Sequence, residues 1–334
     1  MHLKLFNHQS SENTRVLGIE KSCHHTQFTI RRSDSSWKTA DLGRIFNLSY
    51  LTYGNCNGLM LMMNFFTEEM ILWNPFTRKS LILPPCPLGS VDNMLGFAPS
   101  NNEYKVIACR FKYINGVRSS EVGIASFLLN DNQWKIKPKW TNVWSWDSLK
   151  YGPRRVFCGG ILYWIGHDPR LSQKTHHLLY VNFEVEKFSV MQLPEAAKES
   201  IVKFLFVLGE SLAIFAMSCE SSCIWVLEKD VGEDPWRLWF LGDPDLNACE
   251  LFKSVTTGYP FSKILYVQKS NAFLMVEEIE RDGTIKYQPI SYNIRSHKLQ
   301  VLKKPIRNEI YLDTCVESLV LHKGFEGQTS ISFP

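Results

Sequence analysis

The sequence predicts an all-β fold built from a repeated antiparallel unit, with little helix. Hairpins are indicated by an Asn-Gly pair at 115–116 and an Asp-Gly pair at 282–283, each between apolar runs. Apolar and polar residues alternate over 290–294, as in a strand with one buried face. Helical periodicity is nearly absent. Only 194–203 is expected to form a short helix, because its leading proline suits a first helical turn.

The repeated unit begins with a glycine that opens an apolar strand, and polar strands and a turn follow. Such units start at Gly58, Gly96, Gly160 and Gly209, and a last unit runs over 263–302. Equivalent points are about 40–50 residues apart, the size of a four-stranded propeller blade. One blade cannot bury both of its faces, so recurrent aromatic residues are expected to fill the space between neighbours. The sequence therefore predicts a propeller-like array of antiparallel four-stranded blades.

Individual strands follow from apolar runs bounded by turn residues. Pro75 ends the strand that runs up to Trp73, because proline fixes φ and lacks an N–H. The expected strands, in chain order, are 16–19, 28–30, 59–63, 110–114, 124–129, 133–136, 161–164, 179–183, 188–193, 211–216, 224–227, 236–241, 264–267, 273–281 and 284–294. A last alternating segment, 316–321, is expected to pair with the N-terminal blade, because an open edge invites aggregation.

Composition is that of an ordinary globular protein. Of the 334 residues, 45% are hydrophobic and 21% are charged, a balance that supports a packed core and argues against disorder. The formal net charge is only +4, so neither a nucleic acid nor a membrane is expected as a partner. The longest apolar stretch, 204–217, is interrupted at 209–211, whereas a membrane span needs about 20 apolar residues.

Nine cysteines are dispersed along the chain without a CxxC pair, and no signal peptide precedes them. Their odd number and spacing indicate free thiols in a reducing compartment, which places the protein in the cytoplasm, the nucleus or both. Cys219 and Cys223 lack a second ligand pair at zinc spacing. The adjacent histidines at 24–25 and 176–177 would point to opposite faces of a strand. Neither a metal nor a cofactor is therefore expected.

Catalytic motifs are not found in this sequence. It contains no P-loop, GxSxG, HExxH or dinucleotide fingerprint. The acidic pairs at 68–69 and 277–278 are neighbours that would split across two faces of a strand, so they do not form a carboxylate dyad. No catalytic residue is expected and the protein is interpreted as a non-enzyme. The alternative is a carbohydrate-binding or hydrolytic propeller, because propellers host carboxylate-dependent hydrolases.

One segment, 138–155, has the composition of a contact surface. Tryptophan and arginine are enriched at binding hot spots, and the candidate partner-binding residues here are Trp140, Trp144, Trp146, Arg154 and Arg155. The alternative is that these tryptophans pack between blades, as Trp73 and Trp164 are expected to do.

Eight motifs resemble, in order, those of the plant F-box-associated domain. They stand at 56–59 (CNGL), 73–78 (WNPFTR) with 83–84 (LP), 96–99 (GFAP), 104–106 (YKV), 160–164 (GILYW), 183–188 (FEVEKF) with 193–194 (LP), 224–227 (IWVL) with Trp236, and 316–320 (VESLV). Together they cover about residues 50–321. The resemblance implies a kelch-like propeller that recognises a target protein for the ubiquitin pathway, as a substrate receptor without catalytic activity.

The same resemblance sets the expected domain organisation. Residues 1–14 resemble the junction that follows an F-box, 15–323 the associated propeller-like domain, and 324–334 a C-terminal tail. The F-box is a helical hook for the adaptor of the SCF ligase and starts with LPxxL, a pattern that residues 1–50 lack. The implied partners are a target protein, still to be identified, and the SCF adaptor only if an F-box lies upstream of Met1.

Overall fold

The computed structural model of the protein describes residues 14–21, 26–31, 39–45, 50–56, 58–64, 66–77, 79–89, 94–100, 103–114, 117–140, 155–167, 176–228, 235–243, 251–252, 264–267, 271–281, 283–307 and 309–316. Within these residues lie 24 β-strands, one helix of four residues and two further helical residues, Leu251 and Phe252. The prediction of an all-β fold with little helix is confirmed. None of the described helical residues forms a helix long and apolar enough to cross a membrane.

The strands alternate with short turns along the whole described chain. The first eleven are β1 (Thr14–Lys21), β2 (Thr26–Arg31), β3 (Thr39–Ile45), β4 (Tyr50–Cys56), β5 (Leu59–Asn64), β6 (Met70–Asn74), β7 (Lys79–Ile82), β8 (Met94–Ser100), β9 (Glu103–Ile114), β10 (Val117–Leu128) and β11 (Gln133–Trp140). The next eight are β12 (Val156–Cys158), β13 (Ile161–His167), β14 (His176–Asn182), β15 (Lys187–Gln192), β16 (Val202–Leu208), β17 (Ser211–Met217), β18 (Ser222–Leu227) and β19 (Trp236–Gly242). The last five are β20 (Leu265–Val267), β21 (Ala272–Arg281), β22 (Thr284–Asn293), β23 (Lys298–Val301) and β24 (Glu309–Val316), and the helix α1 (Glu195–Lys198) follows β15.

These strands form six four-stranded sheets within the described residues. Five sheets take four consecutive strands in chain order: β4–β7, β8–β11, β12–β15, β16–β19 and β20–β23. This is the antiparallel meander expected of a blade. The sixth sheet has the order β24-β1-β2-β3, so the C-terminal strand adds to the N-terminal sheet, as expected. Of the expected strand 316–321, Val316 ends β24, and 317–321 lie outside the described residues.

The chain divides into two compact units. Unit 1 comprises Met1–Trp146, Asn182–Phe188 and Asp313–Pro334, and unit 2 comprises Asp147–Val181 and Ser189–Leu312. In unit 1, every second residue of β5 and β9 faces a common core, as the two-residue period of a strand requires. That core contains Leu59, Leu61, Met63, Tyr104, Val106, Ala108 and Phe127.

The core of unit 2 is rich in aromatic side chains. The rings of Phe206 and Phe273 meet edge to face, with centroids 5.2 Å apart, and those of Phe204 and Phe215 lie 5.1 Å apart. Each such pair adds about 0.5–1.5 kcal/mol beyond the area that it buries. A second cluster in this unit combines Leu193 and Ala197 of the α1 region with residues of strands β12 to β19.

Asparagines at strand ends cap the turns that follow. Asn74 Oδ1 accepts hydrogen bonds from the backbone N–H groups of Phe76 at 2.9 Å and Thr77 at 3.2 Å. The same two bonds recur at three other strand ends, those of Asn64, Asn182 and Asn293. Such side chains replace the backbone partners that the strand ladder no longer supplies. The turn after Trp73 is therefore one of several turns in this chain that an asparagine side chain caps in the same way.

Tryptophans join one sheet to the end of the sheet before it. In unit 1, Trp134 of β11 donates its indole N–H to the carbonyl of Pro84, just after β7, at 2.8 Å. In unit 2, Trp236 of β19 donates to the carbonyl of Gln192, the last residue of β15, at 3.0 Å. Trp73 and Trp164 are 0% and 1% exposed, so the prediction that both are core residues is confirmed.

Two local expectations were wrong in extent. The helix expected over 194–203 is a single turn, α1, with Pro194 at its N-cap. The strand β16 starts at Val202, because the residues from 202 to 208 bury alternate large apolar side chains in the aromatic core. Gly96, expected to open a strand, lies inside β8, opposite Ile107.

Candidate functional site

An open groove of about 460 Å³ lies between β11 and the turn that joins β14 to β15. Its described lining residues all belong to unit 1 and are Lys137, Pro138, Lys139, Val185, Glu186, Lys187 and Phe188. These residues include three lysines and one glutamate, so together they carry a net charge of +2 at neutral pH. A concave, positively charged surface of this kind concentrates anionic groups.

The sequence of the β14–β15 turn explains its shape. Asn182 ends β14, and its Oδ1 accepts the backbone N–H groups of Glu184 at 2.9 Å and Val185 at 3.2 Å. Phe183 is fully buried and anchors the turn, whereas the Val185 side chain is 65% exposed at the tip. Glu186 adopts a left-handed conformation with φ of 53°, which is unfavourable for a residue with a Cβ. Interactions of its side chain must therefore offset this cost.

Those interactions are two ion pairs. Glu186 Oε1 lies 2.9 Å from Nζ of Lys105 on β9, and Glu186 Oε2 lies 2.9 Å from Nζ of Lys137 on β11. The Lys105 side chain is only 8% exposed and also donates to the carbonyl of Phe183 at 3.0 Å. The Lys137 side chain, at 31% exposed, reaches the groove. The carboxylate thus holds the turn against two strands of one sheet.

The electrostatics of Glu186 agree with this geometry. Burial by itself would raise the pKa of its carboxyl group. Hydrogen bonds from Lys105 and Lys137, together with their positive charges, outweigh burial and leave the pKa below its ordinary value. Glu186 is consequently a carboxylate at neutral pH and a fixed acceptor for both lysines. A buried charge is tolerated only when it is paired and hydrogen-bonded in this way.

The arrangement suits binding. A carboxyl group with a lowered pKa is a poor proton donor at neutral pH, so Glu186 is not suited to act as a general acid. Its ion pairs hold Lys137 in place, while Lys139 and Lys187 are exposed beside it.

Among the residues that the structure describes, no group of three or more His, Cys, Asp or Glu side chains is placed to hold a metal ion.

The contact residues predicted from sequence are only partly described. Trp140 is the last residue of β11, where its backbone lies opposite Val122. Arg155 directly precedes β12 and is half-buried. The other three, Trp144, Trp146 and Arg154, lie outside the described residues. The contact role of these five residues stays a prediction, although the predicted segment 138–155 begins with two residues that line the groove, Pro138 and Lys139.

Sequence reasoning missed the central ion pairs. Lys105 and Glu186 both stand in motifs, at 104–106 and 183–188, that we interpreted only as part of the family resemblance. The available signal was a lysine within the apolar strand around Val106, because a lysine is almost never buried without a partner. No local pattern identifies that partner, since it comes from a distant turn.

The model of the F-box associated beta propeller domain matches residues 8–320, which is most of the chain. The chain belongs to the F-box associated beta propeller domain family. This confirms the family resemblance and the prediction of a propeller-like all-β fold.

Two relatives come from Arabidopsis thaliana. The F-box protein At3g07870 is 37% identical over 76 residues, which are 21% of this chain and 18% of that protein. The putative F-box protein At1g33530 is 22% identical over 245 residues, which are 71% of this chain and 52% of that protein. The chain thus matches about half, or less, of the length of these relatives. Among solved structures, that of YjhT has a TM-score of 0.44 at 12% identity and covers 86% of this chain and 94% of its own.

Proposed function

We propose that this chain is a non-catalytic protein-recognition module of the ubiquitin pathway, of the substrate-receptor type. The observation that carries this proposal is the match to the F-box associated beta propeller domain over residues 8–320, together with relatives that are named F-box proteins. Fold alone does not determine function. The lysine-rich groove therefore adds a second line of support, because it offers a preorganised contact surface.

The proposed partner is a target protein that the propeller holds. Where the full polypeptide carries an F-box, that segment would recruit the SCF adaptor, and the propeller would have no part in adaptor binding. We place this activity in the cytoplasm, the nucleus or both.

The test combines binding with ubiquitin modification in plant cells. Proteins that bind the purified chain directly and saturably are first identified. Ubiquitin-modified peptides of those proteins are then compared between cells that contain the gene product and cells depleted of it. We expect at least one direct binder to lose ubiquitin modification on depletion.

Two results would overturn the proposal. One is unchanged ubiquitin modification of every direct binder. The other is turnover of a glycoside or a lactone by the purified chain, which would identify a hydrolytic propeller instead. A matched preparation of the Lys139→Gln, Lys187→Gln double variant serves as the control for contaminating hydrolases, because a contaminant would act equally in both.

A further inference from the structure

We infer that the groove between β11 and the β14–β15 turn binds an acidic segment of a partner protein, in which carboxylates flank an apolar side chain. This inference rests on the proposed recognition function and specifies the ligand class of the groove. Four observations carry it: the charge of the lining, its fixed geometry, its apolar component and its size.

The charge of the groove selects an anionic ligand. Lys139 and Lys187 are exposed along the lining, and Lys137 reaches it from β11. Among the described residues, the nearby negative charges include Glu186, which pairs with two lysines, and Glu184, an exposed residue of the same turn that is not among the lining residues. The described lining therefore contains more lysines than carboxylates.

The groove is also preorganised. The turn is fixed by the Asn182 cap and by the ion pairs of Glu186 with Lys105 and Lys137. A ligand that enters it does not have to order the turn first, and this lowers the entropic cost of binding. An alternative explanation of these lysines is that positive charges on an exposed edge strand prevent strand pairing between two copies of the protein. Discouraging self-association does not require a turn held in place by a half-buried carboxylate, so the groove is better explained as a binding surface.

Side chains, rather than a backbone ladder, recognise the ligand. Pro138 lies in the middle of the β11 portion of the lining and has no N–H, which disfavours the addition of a further strand there. Val185 is 65% exposed and Phe188 is half-buried, so the lining includes an apolar patch beside its lysines. A leucine-sized side chain between acidic residues matches both parts of the surface.

Size and lysine content favour a peptide with carboxylates. The groove volume of about 460 Å³ lies within the range of about 300–1,000 Å³ for sites that hold a compact ligand, which suits a few residues of a peptide.

Protein–DNA interfaces instead neutralise about 6–10 phosphates along an extended basic surface. Among the residues that the structure describes, the lining contains no arginine, the residue whose planar fork matches phosphate. Lysine point charges are sufficient for carboxylates.

The experiment is fluorescence anisotropy with the purified full chain and a short fluorescein-labelled peptide in which aspartates flank a central leucine. Two matched peptides carry asparagine or phosphoserine in place of aspartate, and the phosphoserine peptide is prepared at equal net charge. The groove variant is Lys139→Gln combined with Lys187→Gln. The control variant is Lys135→Gln, a change of the same kind on the same strand, at a lysine outside the lining whose Nζ lies 2.5 Å from Asp131.

We expect saturable binding of the aspartate peptide that weakens with added salt and falls on the order of tenfold in the groove variant. The Lys135→Gln variant should bind as the original chain does. The inference is overturned by the absence of saturable binding, by equal binding of the asparagine peptide, by tighter binding of the phosphoserine peptide at equal charge, or by equal losses in both variants. This assay contains no ubiquitin machinery, so its result is independent of the depletion experiment. If the peptide does not bind but depletion does reduce ubiquitin modification of a direct binder, the role of the groove is overturned and the recognition function is still supported.

Discussion

Replacing Glu186 by glutamine removes one carboxylate from two ion pairs and keeps the size of the side chain. Lys105, whose side chain is 8% exposed, would then remain buried without an opposite charge, with neutral oxygens such as the Phe183 carbonyl as its acceptors. Removing one partner of a buried pair typically costs about 3–5 kcal/mol. Since Lys137 is partly exposed, we expect a loss at the lower end, about 3 kcal/mol. For a domain of roughly 150–250 residues, this corresponds to a fall in Tm of roughly 6–12 °C.

Differential scanning calorimetry measures this loss against a matched control. Glu195→Gln makes the same chemical change in the exposed pair of Glu195 with Lys198, where the glutamate side chain is 79% exposed. It should change stability by no more than about 0.5 kcal/mol. Adding Lys105→Met to Glu186→Gln should restore part of the lost Tm, because neutral groups replace the unpaired charge. Equal Tm values for the two glutamine variants would refute the reasoning about the buried pair.

Acid should remove the contribution of Glu186. The pKa of Glu186 is lower in the folded protein than in the unfolded chain, so its ion pairs stabilise the fold fully above the unfolded value of about 4.3. That stability is lost as the pH falls through the folded value. The Tm difference between the original chain and Glu186→Gln should therefore be constant above about pH 5 and shrink below about pH 4. A difference that stays the same at pH 3 would contradict the assignment.

Three further predictions concern the core, the thiols and the C-terminal strand. Trp73→Ala should cost about 3–5 kcal/mol in a urea melt because Trp73 is fully buried, whereas Phe66→Ala, at a residue that is 80% exposed, should change stability by less than about 0.5 kcal/mol; similar losses would contradict the burial of Trp73. Iodoacetamide should alkylate the exposed Cys219 in the native protein and reach Cys223 only on unfolding, because burial raises the pKa of the Cys223 thiol; mass spectrometry that finds both modified at the same rate would refute this. Truncation after Pro305 removes β24 and should expose the β1 edge, so the product should be insoluble or molten by near-UV circular dichroism; an unchanged Tm would contradict it.

Much of the fold could be predicted because its signals are local. Arg281 of β21 pairs with Thr284 of β22, and Gly283 has the positive φ of 68° that a tight hairpin turn requires. The size of the repeat indicated four-stranded units, and five sheets are formed from consecutive strands. The extent of the helix could not be predicted, because Pro194 marks a start while the aromatic core determines that Val202 already belongs to a strand.

The groove could not be predicted because it depends on distant residues. Lys105 and Glu186 meet only after their strands and turns have packed, and charge pairing has no period along the chain. The contact segment 138–155 was predicted from composition alone. Its first residues line the groove, while the roles of Trp144 and Trp146 stay predictions.

The central claim is that this propeller recognises a protein and controls its turnover. The most direct measurement is the half-life of each direct binder in plant cells depleted of the gene product and then complemented with either the original full polypeptide or its Lys139→Gln, Lys187→Gln variant. We expect depletion to lengthen the half-life of at least one binder and the original polypeptide to shorten it again, whereas the variant should do so less effectively. Half-lives that do not respond to depletion would contradict this function.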